Sequence, residues 1–129
     1  MIAAALIFVG IAAVIHVGIF YMESIAWTGP RVRAIFKTTE EEARTTRLLA
    51  LNQGFYNLFL AVAVMLGIAM VALGTVAIGA TLIFAGAGSM ALAALVLLLS
   101  SPGRALAAAT QGLLPAVGVI LLGFGLALQ

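Results

Sequence analysis

The chain has 129 residues, of which 65% are hydrophobic and only 8% charged, with a net charge of +2. A soluble domain averages about 45–50% apolar and about 25% charged residues, and no soluble fold of this length hides so much apolar surface. Without cysteine and with a single histidine, the chain offers no disulfide, no thiol chemistry and no side-chain set for a metal, so neither metal nor cofactor is expected.

Four apolar runs, roughly 2–26, 48–72, 75–100 and 105–128, each supply the ~20 residues that cross ~30 Å of hydrocarbon. The short alternating strands of a membrane barrel are missing, and helices are the other spanning solution. The predicted fold is therefore all-α: one polytopic four-transmembrane-helix bundle over residues 1–129. No basic segment precedes the first run, which is longer than a signal-peptide core, so it is expected to be a retained span.

The first connection is the one sizeable polar segment. Gly29-Pro30 marks a turn. In RVRAIFK, Val32, Ile35 and Phe36 fall on one side and Arg31, Arg33 and Lys37 on the other, which predicts a short interfacial helix lying on an anionic leaflet between helices one and two. In TTEEEARTTRLL, Thr39 with Glu42, or Thr38 with Glu41, forms a capping box, and Glu40 can pair with Arg44 at i,i+4. The second span is then expected to begin in water near Glu40 and to run unbroken into the membrane. A plainer reading of these charges is a solvated, lipid-facing loop.

Arg31, Arg33, Lys37, Arg44 and Arg47 lie in the first connection and Arg104 in the third, so all six basic residues fall on one side of the bundle. Lys and Arg mark the cytoplasmic side of a membrane. The bilayer is thus the expected partner of the chain, in the bacterial inner membrane, with both termini outside and the basic loops cytoplasmic. Charges placed this way imply no nucleic acid.

The polar residues inside the spans are few. His16 and Glu23 are seven residues apart in the first helix, on one face and ~10.5 Å apart along its axis, with Phe20 and Trp27 on the same stripe. NQGFYN, residues 52–57, sits at the mouth of the second run, where Asn52, Gln53, Tyr56 and Asn57 are expected to share one broad face. Thr110 and Gln111 open the fourth helix, and Pro115 leaves the Gln111 carbonyl without its helical donor. Since lipid offers no hydrogen bonds, these groups should face one another in a polar pocket at the basic end. Each also has a plainer role: Glu23 paired with Arg31 or Arg33, His16 bonded to a neighbouring carbonyl, Asn and Gln as glue between helices, and Trp27 in the interfacial belt. The small pairs Ala63–Gly67 and Ala85–Ser89 are read as helix packing.

HVGIFYMESIAWTGPRVRAIF (16–36), LALNQGFYNLFLA (49–61) and TQGLLPAVGVILL (110–122) together resemble the bacterial and fungal membrane family known as Domain of Unknown Function 1304. The family's His, Glu, Trp, Pro and Phe correspond to His16, Glu23, Trp27, Pro30 and Phe36, and its NQG-x-YN motif is intact at Asn52–Asn57. Its QG-x-PA motif is one residue longer here, as QGLLPA. The resemblance implies no settled activity, but it picks out the same polar residues as the physical reading.

Three functions fit this pattern. The first is an enzyme or binding protein for a small amphipathic molecule, with Glu23 and His16 as the acid–base pair and Asn52, Gln53, Tyr56, Asn57, Gln111 and Trp27 holding the ligand. The second is a small proton-coupled transporter working as a parallel homo-oligomer; the one-sided charge argues against an antiparallel one. The third is a structural or regulatory subunit that docks a partner through the first connection. A haem carrier fits poorly, since one histidine per chain would need a dimer for two axial ligands.

Overall fold

A computed structural model describes residues 1–128. The chain runs α1 (Ile2–Phe20), a π turn (Tyr21–Ile25), α2 (Pro30–Phe36), α3 (Glu40–Thr45), α4 (Arg47–Ala72), α5 (Val76–Ser100), a 3-10 turn (Pro102–Arg104) and α6 (Ala105–Ala127), with no strand among the described residues. Four segments are long and apolar enough to cross a membrane: Ile2–Ile25, Arg47–Ala72, Val76–Ser100 and Pro102–Ala127. The predicted spans agree with them to within a few residues, and the chain is an integral membrane protein.

The spans form a ring. α1 packs on α4 and α6, α5 packs on α4 and α6, and the diagonal contact between α1 and α5 is slight. Successive spans alternate in direction, so α2, α3 and the 3-10 turn share the basic end and the α4–α5 turn lies at the far end. Large apolar side chains such as Ile7, Val14, Leu66, Leu92 and Phe124 point outward. The centre is built instead from Ala5, Val9, Ala12, Ala13, Ala61, Val64, Ile83, Ala87 and Leu122.

This inversion follows from the solvent. Lipid tails are as apolar as leucine, so helix association rests on close van der Waals contact between small residues. At the α4–α5 contact, a Cβ added to Gly67 would stand 2.8 Å from the Gly79 carbonyl and 2.7 Å from Ile83 Cγ1. At the α1–α6 contact, Gly125 faces Ile2 and Gly118 faces Val9. The small pairs read from the sequence are partly displaced. Gly67 takes part, whereas Ala85 and Ser89 are exposed and Gly86 and Ala87 make the α5 contact. In the run AGAGS both sides of the helix are small, so its register is set by what α4 presents.

The connections are fixed by local hydrogen bonds. At the far end, the Thr75 N–H donates to Met70 O at 2.9 Å and the Gly74 N–H to Val71 O at 3.0 Å. This is a Schellman close, and Gly74 takes the left-handed φ of 85° it requires. At the basic end, Pro30 opens α2 at its first helical position. The capping box forms on Thr39 and Glu42: Glu42 N–H donates to Thr39 Oγ1 at 3.2 Å and Thr39 N–H to Glu42 Oε2 at 2.8 Å.

Two expectations here are corrected. Glu40 pairs with Arg33 of α2 at 3.8 Å rather than with Arg44. The second span does not run unbroken from Glu40, because α3 ends at Thr45 and α4 begins at Arg47, with Thr46 at φ −94° and ψ 4° between them. The cause is local: the Thr45 and Thr46 hydroxyls both donate back to Glu42 O, at 3.0 and 2.6 Å, and such back-bonding bends a helix.

Gly67→Ala is expected to destabilise by about 1–3 kcal/mol through overpacking. Gly88→Ala, where an added Cβ meets nothing within 4 Å, is expected to stabilise by up to ~1 kcal/mol through helix propensity. Unfolding in detergent micelles checks the opposite signs. The cap predicts a pH effect as well. The Thr39 backbone N–H, and then its side chain, hold the Glu42 carboxyl below the usual carboxylate range. A lowered folded value means that the cap's stabilisation is present above that range and is lost as pH falls through the folded value. Protection factors at Glu42 and Ala43 should therefore drop in acid while those of α4 hold, and Thr39→Ala should show the low values already at neutral pH.

Candidate functional site

The site begins where α1 changes geometry. A π turn carries a wider helical repeat than the α-helix before it, and such turns concentrate at functional sites. Here the turn contains Glu23 and Ser24. Gly54, the glycine of NQGFYN, faces it: a Cβ at this position would stand 3.1 Å from both Phe20 O and Ser24 N and would run into Ser24 Oγ. Without that Cβ the helices close up. Ser24 Oγ donates to Leu51 O at 3.0 Å, and Phe20 and Phe55 meet edge to face at 5.2 Å.

This approach places Asn57, three residues further along α4, beside Glu23. Asn57 is buried, and its Nδ2 donates to Glu23 Oε2 at 2.9 Å and to Gln53 O at 3.1 Å. Among the described residues Glu23 has no basic partner. The one ion pair among the described residues is Arg33–Glu40, so the plainer expectation of a Glu23 pair with Arg31 or Arg33 is not met.

His16 lies deeper and is 2% exposed. Its Nδ1 is 2.8 Å from Ala12 O. A carbonyl only accepts, so Nδ1 carries the proton, and Nε2 is the ring nitrogen left without a hydrogen bond among the described residues. The expected carbonyl bond of His16 is therefore present, and it leaves one ring nitrogen uncommitted.

These groups line one cavity of about 680 Å³. Along their helices, His16, Ile15, Leu60 and Met90 lie farther from the basic end and Glu23, Gln53, Asn57, Thr110 and Gln111 nearer to it, while Trp27, Phe36, Lys37 and Arg104 line the cavity at that end, its mouth, from the connections. Trp27 is fixed there by an Nε1–H donation to Thr46 Oγ1 at 3.2 Å and by an edge-to-face contact with Phe36 at 5.0 Å. Its ring thus joins α2 to the α3–α4 bend. A second cleft of about 400 Å³, between Thr28, Glu40, Arg44 and Arg47, is more open and is lined by none of His16, Glu23, Gln53, Asn57 and Gln111.

Of the residues selected from the sequence, the cavity brings together His16, Glu23, Trp27, Gln53, Asn57 and Gln111. It does not include Asn52 or Tyr56. Asn52 Nδ2 donates to Leu48 O of its own helix at 3.0 Å, and Tyr56 is 63% exposed. The reason is helix geometry. Relative to Asn57, Gln53 is turned about 40° around the axis, but Tyr56 about 100° and Asn52 about 140°. The expected single broad face of NQGFYN is therefore two faces.

Lys37 and Arg104 also line the cavity, although neither is among the site residues expected from the sequence. For Arg104 a signal was present: Arg104, Ala107 and Gln111 stand at i, i+3 and i+7, one face of a helix start. Lys37 had none, because its place depends on the left-handed turn that ends α2, φ 54° and ψ 45°.

No curated protein and no solved structure matches the chain. The model of a family described as "Protein of unknown function (DUF1304)" matches residues 10–123, a range that holds every residue lining the cavity, and the chain belongs to that family.

Proposed function

We propose that the protein binds a small amphipathic molecule in this cavity and acts on it by acid–base chemistry, with Glu23 and His16 as the proton-handling pair. Gln53, Asn57 and Gln111 orient the polar part of the ligand, and Ile15, Leu60 and Met90 take up its apolar part. The observation that carries this reading is the bonding of Glu23: a carboxyl within a span, held by the Asn57 amide and by no base, on the wall of a cavity it shares with His16. A regular helix sets the two groups roughly 10 Å apart along its axis, too far for a direct hydrogen bond and far enough for a ligand or a water chain between them. The basic end faces the cytoplasm under the positive-inside rule, with the termini outside and α2 along the inner leaflet of the bacterial inner membrane, so the ligand enters from the inner side.

The pair Glu23→Gln and Asn57→Ala separates binding from packing. Gln keeps an oxygen to accept the Asn57 amide, so Glu23→Gln is expected to fold like the wild type. Asn57→Ala removes an interhelical hydrogen bond worth ~0.6–2 kcal/mol and should lower the melting temperature modestly. Mass spectrometry of the purified proteins is expected to find a small molecule retained by the wild type and lost from a folded double variant. The same bulk lipids in both samples would overturn the reading, and pH-driven flux in vesicles would then test transport.

A further inference from the structure

The polar layers of the cavity carry different charge. Its mouth holds two cations from separate connections, Lys37 at the end of α2 and Arg104 at the end of the 3-10 turn. Neither is in an ion pair among the described residues. Between the mouth and His16 the wall includes Ile19, Leu60, Met90 and Leu97, an apolar lining suited to a hydrocarbon chain. Glu23 is the one carboxylate on the wall, and it lies beyond the mouth, bonded to Asn57.

The backbone at Lys37 adds an independent observation. It is the one residue other than glycine with positive φ among the described residues. Glycine takes this left-handed conformation without strain and lysine does not, and its occurrence as the cap of a short helix is a place where glycine is the usual choice. Strained residues of this kind cluster where ligands are held. Here the residue with this backbone is a lysine that lines the cavity.

We propose that the ligand is an anionic amphiphile, with a carboxylate or phosphate head held between Lys37 and Arg104 and an alkyl chain along Ile19, Leu60, Met90 and Leu97. This rests on the reading of the cavity as an amphiphile site and adds the sign of the head group. A cationic head would meet two positive charges before it reached Glu23. A neutral head would leave both exposed cations to water and would gain no charge-assisted hydrogen bond.

The protein carries its own reporter. Trp27 is the single tryptophan and lines the mouth, so a chain brominated near its head quenches it on entering. Four probes with one brominated long chain differ only in the head: carboxylate, phosphate, alcohol and trimethylammonium. The variant Trp27→Phe, Leu66→Trp, with its indole on the lipid-facing side, reports bulk partition for each.

After that correction, the carboxylate or the phosphate is expected to quench Trp27 at about tenfold lower concentration than the alcohol, the gain of one charge-assisted hydrogen bond. Whichever of the two is stronger names the head. Lys37→Gly with Arg104→Ala should erase the preference. Lys37→Gly alone removes strain and charge together, so it should melt no lower than the wild type while binding the anion more weakly. Equal quenching by all four heads, or strongest quenching by trimethylammonium, would overturn the anionic head and leave the amphiphile site standing. No quenching beyond bulk partition by any head would overturn both.

Discussion

The contact between Gly54 and the π turn of α1 governs the basic end of the bundle. The turn bulges toward α4, and α4 meets it with the one residue that has no side chain to collide. Bonds on both sides hold the approach: Ser24 to the Leu51 carbonyl, and Phe20 to Phe55. The distance at which Asn57 meets Glu23 is set by this approach. Within a membrane, a carboxyl without a partner is costly because lipid supplies none. The glycine is therefore as much a part of the Glu23 environment as the asparagine that touches it.

The cavity follows from the same packing logic that closes the rest of the ring. Val9, Val64, Ile83 and Leu122 are completely buried and fill the centre of the bundle. Toward the basic end the wall is made at several positions by Gly18, Ala93, Gly103 and Ala107. These residues are short, and Trp27 and Phe36 line the same space from the connection. The open volume and the polar groups thus occur together. Small residues leave room, and the carboxyl, imidazole and amides line it.

How much of this could be read from the sequence depends on the range of the interaction. Span limits were legible because they depend on composition alone, and the Thr39–Glu42 cap because it closes within four residues. Glu23, His16, Gln53, Asn57 and Gln111 were legible as a group because polar side chains in lipid must find one another. The π turn was not, since its geometry is selected by the fit of Ser24 against Leu51 and Gly54 from a different helix. The outward turn of Asn52 and Tyr56 was within reach of helix arithmetic but was hidden by their place in one short motif. The break at Thr46 depends on which carbonyl two adjacent hydroxyls choose. Lys37 entered the site through a single backbone angle, and no periodicity signals that.

The choice of partners bears on the chemistry. An arginine beside Glu23 would hold it as a carboxylate, because the pair is broken when the acid is protonated. An amide makes no such demand: the Asn57 N–H donates to a carboxylate oxygen and to the carbonyl oxygen of a carboxylic acid alike. His16 is arranged to the same effect, with Nδ1–H committed to Ala12 O and Nε2 able to gain or lose a proton without breaking that bond. Both groups can therefore change protonation state while the helices around them stay in place. Residues that served only to pin the bundle together would gain nothing from that tolerance, whereas the proton exchange we propose for this pair depends on it.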